Sequence, residues 1–218
     1  YANEMELTAF DGSHVYLFKA KYDSITQKIE GVFKSGTHFH NYFTSERDSN
    51  FELKKSTEIT YVQEIKPLTF NMLTVNNEPR TFHTEDYKNK VTLIQVMGTW
   101  CSNCVDETLY LKKLDKKYKK KGLTIIGLAF EIGTTTSHQL ETIKNYHQKF
   151  DLHYPIYLGG NANKKYAAEV FKNIFNGIFS FPTTILLDKT GNIVQIHTGF
   201  NGPSTGKFYK NYTHQTNQ

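Results

Sequence analysis

The stretch Val91-Thr-Leu-Ile-Gln-Val-Met-Gly-Thr-Trp-Cys-Ser-Asn-Cys104 decides the fold of this chain. Its first half is apolar, as in a buried strand, and its two cysteines are the only ones among 218 residues. A helix-like segment follows them. A strand that leads into a Cys-X-X-Cys pair at a helix start is typical of a thiol–disulfide redox site. The free N–H groups and partial positive charge of a helix N-terminus favour a thiolate, which is the nucleophile in disulfide exchange.

Two other interpretations of the cysteine pair stay open. A structural zinc site takes four ligands. The sequence has no second cysteine pair, and His138 and His147 lack the spacing of a zinc finger. A purely structural disulfide closing so short a loop would restrict the unfolded chain little. Redox chemistry is therefore the favoured hypothesis.

Composition bounds the class of protein. A chain of 25.2 kDa can hold one large domain, or a small domain and a standard one. Aromatic residues make up 14% of the chain, which favours β-rich structure. The net charge is only +5, and no nucleic-acid-binding motif is present, so we expect no nucleic acid partner. No stretch approaches 18 consecutive apolar residues, which argues against a membrane span in this chain.

Lysines concentrate in residues 112–121, on a predicted helix. A solvated helix face is the favoured interpretation, and a docking patch for an acidic partner or a membrane surface is the alternative. The chain begins at Tyr1 and has no signal-like segment. We therefore expect a processed or trimmed protein, from which any export signal or lipid anchor has been removed.

Residues 1–64 are predicted to form a β-rich N-terminal region of unknown role. Four to six antiparallel strands are expected, because short β-branched or aromatic runs alternate with turn-prone residues. These runs are residues 15–18, 31–33, 38–43 and 59–62. His38 and His40 would share one face of a strand. No third ligand is evident, so exposed strand residues are favoured over a metal site.

From residue 67 onward the predicted order is β-hairpin, β, α, β, α, β, α, β, β, α. The first hairpin turns at Asn76-Asn77, and Gly122 ends the helix that follows the cysteines. Residues 123–130 form a continuous apolar run, as expected for a buried parallel strand. Strands and helices that alternate and then end in a hairpin predict an α/β fold, a mixed sheet with helices on both faces.

This order, together with Gly98-Thr-Trp-Cys-x-x-Cys104 and Phe181-Pro-Thr-Thr-Ile-Leu-Leu-Asp188, resembles the TlpA/ResA-like thiol–disulfide oxidoreductases. These are bacterial extracytoplasmic proteins with a thioredoxin-like fold, related to peroxiredoxins. The resemblance covers about residues 65–218 and implies one thioredoxin-like domain there, while the first 64 residues have no counterpart. It implies a periplasmic or membrane-anchored location and a dithiol enzyme that uses no cofactor and no metal.

The resemblance also implies roles for individual residues. Cys101 would be the exposed attacking thiolate, and Cys104 the buried thiol that resolves the mixed disulfide. Trp100 would shield the pair. Pro182 would be a cis-proline that leaves the Phe181 backbone free to pair with a substrate peptide. An ordinary trans proline opening a strand is the alternative for Pro182.

Glu107 lies three residues beyond Cys104, on the same predicted helix face. ResA-like proteins have a glutamate here, and burial would raise its pKa so that it could exchange protons with the thiols. An exposed glutamate favoured by the helix dipole is the alternative. Thioredoxins place a buried Asp where this chain has Gln95, which cannot relay a proton as an acid. That departure strengthens the case for Glu107 or for water.

Three functions follow from these observations. The leading hypothesis is a reductase of disulfides in exported proteins, with apocytochrome c thiols as one possible target. Its partners would be protein disulfides and an upstream reductant, for which a membrane electron donor is one candidate. A peroxiredoxin-like peroxidase is the second; Thr99 is close, but the Trp-Cys-x-x-Cys arrangement argues against it. The third is a protein-binding module in which the N-terminal region recognises a partner and the redox half is secondary.

Overall fold

The computed structural model describes residues 3–10, 14–37 and 39–215. They divide between two compact units, the first within residues 1–53 and 201–218 and the second within 54–200. The sequence places a boundary at 64/65 instead. Residues 54–64 belong to the second unit in the structure because Val62 forms an antiparallel bridge with Phe175. A thioredoxin-like domain of exactly 65–218 stays a prediction.

The first unit contains a four-stranded antiparallel sheet in the order β1-β2-β3-β4. Phe18 and Phe33 are cross-strand neighbours whose ring centroids lie 4.8 Å apart, and Phe43 meets Phe18 edge-on. Such aromatic pairs stabilise one face of the sheet. The strands are β1 (Glu4–Phe10), β2 (Val15–Asp23), β3 (Lys28–Ser35) and β4 (Phe39–Glu46).

Residues 59–62, expected as a strand, do not form one. Residues Ser56–Ile59 form the short helix α1, and only Val62 makes a bridge. A run of only four β-branched or aromatic residues does not fix a strand by itself, so its tertiary partners decide its conformation.

The second unit is built on a seven-stranded mixed sheet in the order β11-β10-β7-β8-β9-β5-β6. Strands β7, β8 and β9 are parallel, while β10, β11, β5 and β6 pair antiparallel. The expected thioredoxin-like mixed sheet is confirmed. The strands are β5 (Thr69–Leu73), β6 (Pro79–His83), β7 (Val91–Met97), β8 (Leu123–Glu131), β9 (Ile156–Asn161), β10 (Thr183–Leu187) and β11 (Ile193–Thr198).

The redox helix α2 (Ser102–Tyr118) continues into a 3-10 turn, Lys119–Lys121, and ends at Gly122, whose φ of 95° suits glycine. It buries Cys104, Glu107, Thr108, Leu111 and Leu114. Leu109 of the same helix is 40% exposed. Five residues beyond Cys104, it lies on another face of the helix. The other helices are α3 (Thr136–Lys149), α4 (Lys164–Val170) and α5 (Lys207–Gln215).

One edge of the large sheet positions the candidate site. Strand β7 leads directly into the cysteine pair, and β8 ends at the same edge because the two strands are parallel. Strand β10 is antiparallel to β7, with Thr183 opposite Val96, so it begins where β7 ends. The loop before Thr183 therefore meets the start of α2.

No helix among the described residues is both long and apolar enough to cross a bilayer.

Candidate active site

Cys101 and Cys104 form a disulfide, with Cα atoms 5.2 Å apart. Cys101 is the N-cap of α2, and the backbone N–H of Cys104 donates to its Sγ at 3.2 Å. Cys101 is 8% exposed and Cys104 is wholly buried. After reduction, the same N–H is placed to stabilise a Cys101 thiolate. The geometry thus suits Cys101 for attack and Cys104 for resolution.

The loop at Phe181–Pro182 lies against this pair, although Phe181 and Cys101 are 80 residues apart. The peptide bond is cis, and the carbonyl oxygen of Phe181 lies 3.5 Å from Sγ of Cys101. Thr183 Oγ1 donates to the carbonyl of Ser180 at 2.8 Å and helps to fix the loop. The backbone next to Pro182 is therefore held beside the attacking sulfur.

Trp100, which precedes Cys101, packs against Phe181 and Phe130. Its ring meets that of Phe181 edge-on, with 5.7 Å between centroids, and its Nε1 donates to the carbonyl of Phe130 at 2.9 Å. It is 46% exposed. A rigid, half-exposed aromatic ring beside a reactive sulfur can contact an incoming polypeptide. The structure thus brings Trp100, Cys101, Cys104, Phe181 and Pro182 into one place.

Glu107 is wholly buried, so the alternative of an exposed helix glutamate is wrong. Its carboxylate accepts hydrogen bonds from Gln95 Nε2 at 2.9 Å and from Thr184 Oγ1 at 2.7 Å. Gln95 Nε2 also lies 3.2 Å from the carbonyl oxygen of Cys104. Gln95 thus links the carboxylate to the first turn of the redox helix. The residue that replaces the thioredoxin Asp orients this carboxylate rather than relaying a proton.

The network continues deeper into the unit. Thr108 Oγ1 donates to Gln95 Oε1 at 3.2 Å, and the hydroxyl of Tyr146 donates to Thr108 Oγ1 at 3.0 Å. Burial raises the pKa of Tyr146 to about 12, so it keeps its proton at neutral pH. A buried, mutually satisfied chain of polar groups rigidifies its surroundings. This network holds Glu107 in a single orientation, on the face of α2 that carries Cys104.

Glu131, at the end of β8, is a site residue that sequence reasoning missed. It is 1% exposed, and its two oxygens accept from the backbone N–H of Thr99 at 2.7 Å and from Thr99 Oγ1 at 2.6 Å. Burial raises the pKa of Glu131, and the two bonds from Thr99 oppose that rise. The contact fixes the residue before Trp100. A carboxylate ending an apolar strand parallel to the cysteine-bearing strand was the available signal.

The metal interpretation receives no support from the residues that the structure describes. Among them, no group of three or more His, Cys, Asp or Glu side chains could hold a metal ion. His38, half of the pair considered above, lies outside the described residues, and His40 is exposed.

Known proteins resemble this chain in sequence. The Redoxin family model matches residues 57–211, more than half of the chain. Thiol-disulfide oxidoreductase ResA of Bacillus thuringiensis subsp. konkukian (strain 97-27) is 30% identical over 127 residues, which are 57% of this chain and 64% of the relative. Thioredoxin-like protein YneN of Bacillus subtilis (strain 168) is 29% identical over 130 residues, 60% of this chain and 68% of the relative. The chain thus spans less than two thirds of the length of this ResA relative.

Solved structures share the fold. The solution structure of a putative protein disulfide isomerase from Bacteroides thetaiotaomicron has a TM-score of 0.51 at 20% identity, covering 73% of this chain and 89% of that chain. A putative thiol:disulfide interchange protein DsbE from Chlorobium tepidum has a TM-score of 0.51 at 13% identity, covering 72% and 98%. The matched range 57–211 includes β5–β11 and the cysteine pair, and the expected ResA-like resemblance is confirmed. The chain therefore belongs to the Redoxin family.

Proposed function

We propose that this protein is a thiol–disulfide oxidoreductase that reduces disulfides in proteins outside the cytoplasm. The observation that carries the proposal is the placement of Cys101 at the N-terminus of α2, with its Sγ 3.5 Å from the Phe181 carbonyl oxygen. A nucleophilic sulfur beside a held segment of backbone can engage a disulfide within a polypeptide. The similarity to ResA supports the same reaction class.

The reaction balances as a two-electron exchange. The Cys101 thiolate attacks one sulfur of the substrate disulfide, which forms a mixed disulfide and releases a substrate thiolate that takes up a proton. The Cys104 thiolate then attacks Sγ of Cys101. The internal disulfide forms, and the second substrate thiol leaves. The protein is oxidised, the substrate is reduced, and a dithiol donor must restore Cys101 and Cys104.

The groups around the cysteine pair assist different steps of this exchange. The N–H of Cys104 stabilises the attacking thiolate. In this proposal Glu107, which Gln95 and Thr184 hold by hydrogen bonds, exchanges a proton with the Cys104 thiol as that thiol becomes a nucleophile. Trp100 and the Phe181 backbone receive the chain on either side of the substrate cysteine.

Substrate class and location extend the proposal by family resemblance. The TlpA/ResA-like pattern supports action on exported proteins, with apocytochrome c thiols as one target class. It also supports a periplasmic or membrane-anchored location and a membrane electron donor as the upstream reductant.

Mixed-disulfide trapping tests the proposal. Reduced Cys104→Ser protein should accumulate a covalent adduct with insulin, because the resolving attack is gone. Cys101→Ser is the matched control and should accumulate almost none. Samples quenched in acid and separated under non-reducing conditions show the adducts. Equal trapping by both variants, or by neither, would contradict the proposal.

The peroxidase alternative is less well supported. The hydroxyl of Thr99, which would have to serve a peroxidatic sulfur, donates to Glu131 at 2.6 Å. Peroxidase chemistry of this kind also needs an arginine near the peroxidatic sulfur. The only arginine in the second unit, Arg80, lies on β6, four strands away from β7. Consumption of hydrogen peroxide by the reduced protein, at a rate matching its reduction of insulin, would revive this alternative.

A further inference from the structure

Residues 59–63, here called the strap, run beside the loop that leads to Phe181. Val62 pairs with Phe175 in an antiparallel bridge, and the N–H of Gln63 donates to the carbonyl of Ile174 at 2.7 Å. Ile174 and Phe175 are themselves buried. The strap therefore pairs with the loop through a single bridge, although it lies more than 100 residues earlier in the chain.

Asn176 joins the loop to the strap by three hydrogen bonds. Its Oδ1 accepts from the N–H of Tyr61 at 2.8 Å, and its own N–H donates to the carbonyl of Tyr61 at 3.2 Å. Its Nδ2 donates to the carbonyl of Ile59 at 3.0 Å. Two of these bonds use the side chain amide, which satisfies one donor and one acceptor of the strap backbone at once. A change at this side chain would loosen the whole junction.

Thr60 closes the arrangement on the other side. It is 1% exposed, donates to the carbonyl of Gly177 at 3.3 Å and accepts from Thr198 Oγ1 at 2.9 Å. Thr198 pairs with Thr183 across β10 and β11, and the N–H of Gly199 donates to the carbonyl of Pro182 at 2.8 Å. Gly177, near the start of the loop, is thus bonded to Thr60, and Pro182, at its end, is bonded to the residue that follows β11.

We propose that Asn176 is a positioning residue for protein substrates: with Thr60, it fixes the loop so that the Phe181 backbone lies against Cys101 in a pose that receives an extended polypeptide. This inference rests on the proposed function and deepens it. The strap is thereby part of the substrate-binding machinery.

The cysteine pair and the loop that leads to Phe181 are held by different sets of hydrogen bonds. The inference therefore predicts different effects on two kinds of substrate. The cysteines are held by α2 and β7, through Gln95 and the N–H of Cys104. The hydrogen bonds of the strap go instead to the loop and to Thr198 at the end of β11. Loosening Asn176 should therefore impair reaction with a substrate that needs the loop, and spare reaction with one that needs only the sulfur.

The test compares two disulfides in stopped-flow reactions of the reduced protein. Insulin is the polypeptide substrate, and 5,5′-dithiobis(2-nitrobenzoate) is the small one. Asn176→Ala should lower the rate constant with insulin by about tenfold, because a displaced loop orients the polypeptide less well for attack. The rate constant with 5,5′-dithiobis(2-nitrobenzoate) should change by less than about twofold, because that reaction needs only the sulfur. The reduction potential should stay unchanged.

Matched variants keep the test decisive. Asn192→Ala makes the same chemical change in the turn between β10 and β11, where Asn192 bonds to Thr190, and should alter neither rate. Asn176→Asp keeps an acceptor for Tyr61 but sets a carboxylate oxygen against the carbonyl oxygen of Ile59, so it should also give a selective loss with insulin. It decides the matter if Asn176→Ala fails to fold. An equal loss with both disulfides, or no loss with insulin, would overturn the inference. A wild-type protein that reacts with neither disulfide would instead defeat the proposed function.

Discussion

Replacing Thr99 with valine would measure how strongly Glu131 holds the loop before the cysteines. Valine keeps the shape of threonine and removes the hydroxyl that donates to Glu131 Oε2 at 2.6 Å, while the backbone bond at 2.7 Å remains. Because Glu131 is 1% exposed, water does not readily replace the lost donor. Losing a hydrogen bond to a buried charged group costs about 1.5–3 kcal/mol of unfolding free energy.

The cost should depend on pH with a definite sign. Burial raises the pKa of Glu131, so in the wild type its contribution to stability is fully present below the unfolded pKa and is lost as pH rises through the folded pKa. The two bonds from Thr99 oppose that rise in pKa, and the valine variant lacks the side-chain bond, which is the larger of the two contributions. Its free energy of unfolding should therefore fall more steeply with pH, and the difference from wild type should grow from pH 5 to pH 8.

Urea unfolding at the two pH values measures this difference. Trp100 is the only tryptophan, so its fluorescence follows the second unit alone. With a slope of about 2 kcal/mol per molar urea, a loss of about 2 kcal/mol lowers the midpoint by about 1 M. Thr99→Ser keeps the hydroxyl and serves as the control. The reasoning is refuted if the valine and serine variants share one midpoint at both pH values.

Three further predictions follow from the same geometry. Glu107→Gln should flatten the pH dependence of the alkylation rate of the reduced site while the variant stays folded, because an amide keeps the shape but exchanges no proton; an unchanged profile would make Glu107 purely structural. Burial lowers the pKa of His197 to about 4, so the stability that is present above the unfolded pKa should be lost as pH falls toward 4. Between pH 7 and 5 the free energy of unfolding should fall by about 1–2 kcal/mol, and His197→Gln should remove this fall. An equal fall in the His197→Gln variant would contradict the assignment to His197. Limiting iodoacetamide should label Cys101 before Cys104, since only Cys101 is exposed at all; earlier labelling of Cys104 would reverse the assigned roles.

The sequence predicts the large sheet well and the strap poorly, for physical reasons. Strands β7 and β8 are largely apolar and buried, and the cysteine pair and Gly122 bound the helix between them, so local pattern and burial agree. Residues 59–62 also look like a strand, yet Ile59 ends α1 and only Val62 makes a bridge. Their partners lie more than 100 residues away, and no local pattern reveals such partners.

The candidate site divides in the same way. Helical spacing places Glu107 on the face of Cys104, so its link to the cysteines is predictable. Its partner Thr184 is 77 residues away, and only the folded sheet brings it close. The bonds from Thr99 to Glu131 likewise join two parallel strands at their carboxyl ends. Periodicity indicates which face a residue occupies but does not identify the group it meets there.

The reduction potential of the Cys101–Cys104 pair tests the central claim most directly. The protein is equilibrated with thiol–disulfide buffers of known poise, and the fraction reduced is read from Trp100 fluorescence. A reductase of protein disulfides predicts a value nearer to the about −270 mV of thioredoxin than to the about −120 mV of a strong disulfide oxidant. A value near about −120 mV would contradict the claim and assign the protein to disulfide formation.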